Sequence, residues 1–205
     1  MTPKAHPDTA APYGWTAGVS LAFVACYWLS NRLTSVRADV GDAVFGWERA
    51  IPFVPWTIVP YLSICGFFVL SFFVGRDLQE LQRHIARLLL VLVISISCYL
   101  LFPLQFTFER PATSGALGLL FQALTAFDLP YNRAPSLHIC VLLVLWVRFV
   151  PHVRGWQRWG LHVWFGLIAV SVLTTYQHHF IDVPAGFAVA GLCITLTARR
   201  QAQRR

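Results

Sequence analysis

The chain has 205 residues, 57% of them hydrophobic and only 12% charged, with a formal charge of +7. A soluble domain carries roughly 25% charged residues, so this composition excludes an ordinary soluble protein and points to a membrane protein built as one helical domain. The basic surplus alone would admit a nucleic-acid partner, but the placement of the arginines gives it another meaning, and no nucleic-acid partner is expected.

Residues 1–14 are polar, contain proline and read as disordered. Residues 15–29 form the first apolar run. Only Lys4 precedes it and no small-x-small cleavage site follows, so it reads as a retained span, not a signal peptide. The polar connection 30–50 holds Val44, Phe45 and Trp47, which with Ile51 suit the headgroup region. Residues 51–75 form a second span containing Pro55 and Pro60, residues 76–87 a charged turn, and residues 88–104 a third span. In the long connection 106–134, Leu117, Leu120, Phe121, Leu124 and Phe127 recur at helical spacing, as expected of a short helix lying in the interface or buried beneath it. A short fourth span, 136–150, ends before Pro151. The fifth covers 159–175, the sixth 183–198, and a basic tail 199–205 closes the chain. The span-bearing domain is thus 15–198. Trp15, Trp47, Trp56, Trp156 and Trp159 stand near span ends, where indole rings anchor at the interface. Cys26, Cys65, Cys98, Cys140 and Cys193 lie in apolar runs without paired spacing and read as small hydrophobes.

These elements predict an all-α bundle of six transmembrane helices with both termini on one side. Eleven of the sixteen basic residues fall on that side. The other side holds Arg32, Arg37, Arg49, Arg110 and Arg133. The positive-inside rule therefore places both termini in the cytoplasm, and the basic surplus meets anionic lipid.

The same topology gathers Arg110, Arg133, Ser136, His138, His178 and Asp182 at the outer ends of spans three to six. Ionisable groups so close to membrane-grade sequence mark a functional site by default. His178 and Asp182 are four residues apart, so on helical backbone they share a face, and the carboxylate can hold the imidazole in one tautomer. Two imidazoles, one carboxylate and two guanidiniums suit phosphate chemistry, because arginine forks match phosphate oxygens and histidine serves as nucleophile or acid. His179 reads as structural or headgroup-facing, and Asp182 doubles as a cap for the last helix.

Arg110-Pro111, Pro135-Ser136-Leu137-His138 and His178-x-x-x-Asp182, in that order, resemble the three-part signature of the type 2 phosphatidic-acid phosphatase superfamily over roughly residues 88–198. The resemblance implies a metal-free and cofactor-free reaction on a lipid phosphate within the membrane. His178 would be the nucleophile that forms a phosphohistidine, Asp182 its orienting partner, and His138 the proton donor to the leaving oxygen. Ser136, Arg110 and Arg133 would bind the phosphoryl oxygens, Arg133 by charge and location and not by motif position. The chain departs from the pattern at Pro103 and Val172, where the family carries cations, and at Leu137, where glycine is common. PSLH with a doubled histidine resembles the branch near inositol phosphorylceramide synthases and bacterial members fused to dual-specificity phosphatases. The resemblance thus implies a lipid-phosphate phosphatase or an inositol-phosphotransferase-like headgroup transferase, in a bacterial inner membrane with its site on the periplasmic face. A catalytically silent protein binding anionic lipid is the alternative from another class.

Overall fold

A computed structural model describes residues 11–75 and 77–202, with side chains described for 12–75 and 77–198. The polar segment 1–10, Arg76 and residues 203–205 of the tail lie outside the described residues. The described chain is all-helical, with no strand and a single bridge between Gly41 and Leu104. Seven α-helices follow one another: α1 Ala11–Ser35, α2 Ile58–Leu70, α3 Leu78–Leu101, α4 Gly115–Phe127, α5 Leu137–Phe149, α6 Gly155–Thr174 and α7 Asp182–Ala202.

Several boundaries differ from the sequence reading, each for a local reason. Helix α1 begins at Ala11, inside the segment expected to be disordered, and α7 carries the first residues of the basic tail. Most of the expected charged turn 76–87 is the first half of α3. Asp77 caps that helix, its carboxylate accepting from Gln79 N at 2.9 Å. Leu81, His84, Ile85 and Leu88 then bury one face, so the charges stay on the other. Pro55 and Pro60 do not interrupt a span. Pro55 opens a 3₁₀ turn, Pro55–Thr57, and Pro60 sits in the first turn of α2, where a missing N–H leaves no hydrogen bond broken.

Helix α5 is the axis of the bundle. Its residues are buried on nearly every side, as an apolar-all-round helix must be. It packs against α2, α3, α6 and α7. The closest approach is to α7, at Gly186. A Cβ there would stand 2.8 Å from Ser136 O and 2.9 Å from Ile139 Cβ. Glycine lets the two backbones meet, and Ser136 N then donates to Asp182 O at 3.0 Å while the Cys140 thiol donates to Gly186 O at 3.3 Å. The first turn of α5 is thereby joined to the first turn of α7.

At the other end of α5, Arg148 donates to the carbonyls of Ser71 and Val74 and pairs with Glu80 at 3.2 Å. Ser71 meets His84 at 2.7 Å. These contacts close α2, α3 and α5 together, and the two ends leave an apolar middle.

Helix α3 is the one helix, among the described residues, both long and apolar enough to cross a membrane. Its 24 residues span about 36 Å, and 39% of its apolar window is buried inside the bundle. Four shorter apolar helices accompany it: Pro55–Leu70, Gly115–Phe127, Leu137–His152 and Asp182–Ala198. Outward faces elsewhere are also apolar, at Leu21, Trp159, Val163 and Val170 among others. Helix α4 buries Phe121 and Gly118 on one face and exposes Leu119 and Phe127 on the other.

Gly186→Ala is expected to destabilise the protein by about 1–3 kcal/mol through overpacking at the α5–α7 approach. Gly191→Ala, in the same helix with nothing within 4 Å of its added Cβ, is expected to be neutral or stabilising. Thermal unfolding of the two purified variants checks the contrast.

Candidate active site

The turn between α6 and α7 carries His178 and His179. Its path is set at both ends by main-chain hydrogen bonds. Gln177 N and His178 N both donate to Val172 O, at 3.2 and 3.0 Å, and Tyr176 N donates to Leu173 O. Tyr176 itself is in the left-handed region, φ 54°, which a non-glycine residue adopts only when its surroundings hold it there. Asp182 N and Val183 N donate to the carbonyls of His179 and Phe180, leading into α7.

On this turn His178 Nδ1 lies 3.1 Å from Asp182 Oδ2, and both side chains are almost fully buried. The same carboxylate oxygen accepts from His179 N at 2.9 Å. An ionised carboxylate only accepts, so His178 carries its proton on Nδ1 and presents a bare Nε2 on the far edge of the ring. Among the described residues nothing hydrogen-bonds that Nε2. Asp182 opens α7, but its carboxylate reaches back to the turn instead of forward over the helix.

His178 lines a cavity of about 430 Å³ together with His138, Tyr61, Tyr99, Asp128 and Asn132. The rest of its wall is mostly apolar and comes from α1 and α2: Phe23, Val24, Leu62 and Phe68 are among the lining residues. His138, in the first turn of α5, stacks on the Tyr61 ring with centroids 4.1 Å apart and planes at 15°. Its Nε2 is buried without a hydrogen-bond partner. Ser136 is the N-cap of α5: its Oγ accepts from Ile139 N at 3.3 Å, and the residue is wholly buried. Ser136 therefore fixes where His138 begins its helix.

The two arginines are not among the residues lining the cavity. Arg110 donates from Nε to Thr175 O and from Nη2 to Tyr176 O, both at 3.1 Å, and lies over the Phe121 ring. Its partial burial pushes the guanidinium below its ordinary pKa, which leaves it charged at any ordinary pH. Arg133, 3% exposed, donates to Gln177 O and, at 2.8 Å, to Leu129 O. Its Nε is buried without a partner. The structure thus brings His178, Asp182, His138 and Ser136 together at the α5 and α7 N-termini. It places both expected phosphate-binding cations on the carbonyls of the histidine turn.

Two further acidic groups belong to the site: Asp128, which the sequence suggests is a solvated loop residue but which lines the cavity, and Glu48, which the sequence does not single out. Asp128 accepts from the Tyr27 hydroxyl at 2.6 Å and from Asn31 at 3.3 Å. With its amide turned to suit its neighbours, Gln177 donates to the other Asp128 oxygen at 3.1 Å and accepts from Arg110. Glu48, in the 3₁₀ turn Gly46–Ala50, reaches across to the histidine turn. It accepts from His179 Nδ1 at 3.0 Å, Phe180 N at 2.9 Å and Phe45 N at 2.8 Å. Both residues were hidden for the same reason. Tyr27 and Asn31 are 101 and 97 residues from Asp128, His179 and Phe180 are 131 and 132 from Glu48, and neither acid lies in an apolar run or a motif. Their only signal was the rarity of acids, nine in the whole chain.

Among the described residues no three His, Cys, Asp or Glu groups are clustered so as to hold a metal. Comparison with known proteins adds no identification: no family model matches the chain and no curated protein matches it.

The hydrogen bonds assign both histidines the Nδ1–H tautomer. For His179 the carboxylate at Nδ1 is joined by Thr107 N, 3.4 Å from Nε2. ¹⁵N spectra of histidine-labelled protein are expected to show Nδ1–H for both, with Asp182→Ala removing the preference at His178 alone. An Nε2–H tautomer at His178 would contradict the geometry.

Proposed function

We propose that the protein is an integral-membrane lipid-phosphate phosphatase that works through a phosphohistidine. The observation that carries this reading is the cavity. It holds His178 and His138 on one wall, and the rest is chiefly hydrocarbon from α1 and α2. A substrate that fits presents a phosphate to the histidines and an apolar chain to the helices, which is the description of a phosphorylated lipid. The motif order Arg110, Ser136-x-His138, His178-x-x-x-Asp182 supports the same class by resemblance to the type 2 phosphatidic-acid phosphatases.

In the first step the Nε2 lone pair of His178 attacks phosphorus and the P–O bond to the lipid breaks. His138 relays to the leaving oxygen the proton that a monoanionic phosphate ester brings with it. The charge that develops on the His178 ring is met by Asp182 across Nδ1–H. In the second step His138, neutral again, takes a proton from water as that oxygen attacks phosphorus, the P–N bond breaks, and the proton passes to the departing phosphate. Inorganic phosphate leaves and both imidazoles return to their starting states. Arg133, with a spare buried Nε donor, and Arg110 act from behind the turn. Their positive field draws an anion, and small shifts would free donors for phosphoryl oxygens.

Six spans, both termini in the cytoplasm and the site on the outer face of a bacterial inner membrane complete the proposal. The outward apolar faces of α1, α3 and α6 support it, as does the excess of basic residues at the ends opposite the site. The short α5, about 20 Å long, suits a helix whose first turn lies below the interface, where the histidines meet a phosphate at headgroup depth.

A second reading, transfer of the phosphoryl-bearing group to an alcohol, is favoured by one observation. The polar part of the cavity is rich in acceptors, since Asp128 and Asn132 line it and Asn132 Oδ1 is buried without a partner. Carboxylate and amide oxygens suit hydroxyl groups better than a second phosphate.

Purified protein is assayed on a panel of lipid phosphates, with and without polyol acceptors, following inorganic phosphate and transferred product together. Hydrolysis abolished by His178→Ala, by about 10³-fold or more as for loss of an essential catalytic group, is the expected result. Activity unchanged in His178→Ala would overturn the mechanism. Anionic-lipid binding with neither product would indicate a silent binder.

A further inference from the structure

The connection between α1 and α2 is tied to the histidine turn at three points. Val54 N donates to Thr174 O at 2.8 Å, the Tyr176 hydroxyl donates to Ile51 O at 2.9 Å, and Glu48 takes His179 and Phe180. The Glu48 tie differs from the others because it buries a charge: the residue is 1% exposed. A carboxylate withdrawn from water is costly unless its oxygens are well paired. Here three donors meet it, and two of them belong to consecutive residues of the turn that carries the proposed nucleophile.

We propose that Glu48 is a positioning residue for the phosphoryl transfer. Acting through His179 and the Phe180 N–H, it holds the 178–182 turn in the one conformation that lets Asp182 orient His178. The inference rests on the reading of His178 as nucleophile. The connection runs atom by atom. Glu48 Oε2 accepts from His179 Nδ1, the His179 N–H donates to Asp182 Oδ2, and the same oxygen accepts from His178 Nδ1.

The His179 ring cannot absorb a displacement of Glu48 by swivelling. It is stacked on Phe106, centroids 4.5 Å apart at 26°, and meets Phe108 edge-on at 4.9 Å and 88°. Thr107 N closes its other nitrogen. A ring held by two aromatic neighbours and at both nitrogens passes movement to its own backbone, and that backbone N–H is one of the two donors on Asp182. Neither Glu48 nor His179 is among the residues lining the cavity, so both act through the turn and not on the substrate. This gives the doubled histidine a division of labour: His178 faces the cavity and His179 is the handle by which its turn is held.

The test compares Glu48→Ala, Glu48→Gln, His179→Gln and the Glu48→Ala/His179→Gln double variant of the full chain, using a lipid phosphate that the parent protein hydrolyses. Glu48→Ala is expected to lower kcat per folded molecule by about 10- to 100-fold with KM little changed. Glu48→Gln recovers part of that loss, because its one oxygen still accepts from the turn. The double variant is expected to be little worse than the worse single one, since both changes break one connection. A fall in folded yield or melting temperature with kcat per folded molecule unchanged would overturn the proposal, as would fully multiplicative losses. If Glu48→Ala does not fold, an unchanged kcat in both Glu48→Gln and His179→Gln overturns it instead. If the parent protein hydrolyses nothing, the functional reading fails and the positional claim is judged on ¹⁵N histidine spectra. Loss of the His178 Nδ1–H signature in Glu48→Gln or His179→Gln supports it, and an unchanged signature overturns it.

Discussion

The structure depends on how the turn between α6 and α7 satisfies its main-chain polar groups. Five residues of non-helical or helix-starting chain, Thr175, Gln177, His178, His179 and Asp182, are buried here, and buried N–H and C=O groups must be paired. Ordinary folds meet that demand with secondary structure, which this turn lacks. Charged side chains meet it instead. Guanidiniums take the carbonyls, Arg110 those of Thr175 and Tyr176 and Arg133 that of Gln177. Carboxylates take the N–H groups, Asp182 that of His179 and Glu48 that of Phe180. Each ion has a partner of the right sign in the backbone, so charges that would be prohibitive alone become the frame of the site.

That frame explains why two cations can sit behind the cavity without lining it. Their donors hold the turn while their charge remains. It also links the turn to the helices. Asp182 O accepts from Ser136 N, so the starts of α5 and α7 are locked together, and Gly186 supplies the space in which they lock. His138 follows Ser136 by half a turn and is thereby fixed relative to His178 through the backbone, not by direct contact. Helices on both sides then contribute little beyond apolar packing, which is why the middle of the bundle carries no chemistry.

Much of this was legible in the sequence because the signals are local. His178 and Asp182 declare themselves by a spacing of four, Ser136 and His138 by lying at the start of an apolar run, and the helices by runs of apolar residues. The all-helical class follows from those runs. What was not legible is what depends on distant partners or on mixed signals. The charges of residues 77–87 obscured a helix whose buried face, Leu81, His84, Ile85 and Leu88, is clear once the polar side is set aside. Arg110 and Arg133 were recognisable as site residues, but nothing in their positions told that their forks would point at carbonyls. Glu48 was invisible, since its partner His179 is 131 residues away. Val172, where a cation was expected by resemblance, is fully buried in the apolar core and contributes its carbonyl to the turn.

The central claim is that His178, held by Asp182, is the atom-bearing partner of phosphorus. It is tested most directly by quenching the protein in turnover with a lipid phosphate and mapping any covalent phosphate by mass spectrometry under conditions that preserve phosphoramidates. The account predicts an acid-labile, base-stable phosphoryl group on His178, absent in His178→Ala and accumulating when His138 is replaced by a residue that cannot activate water. Phosphate trapped on His179, His138 or any other residue would contradict it.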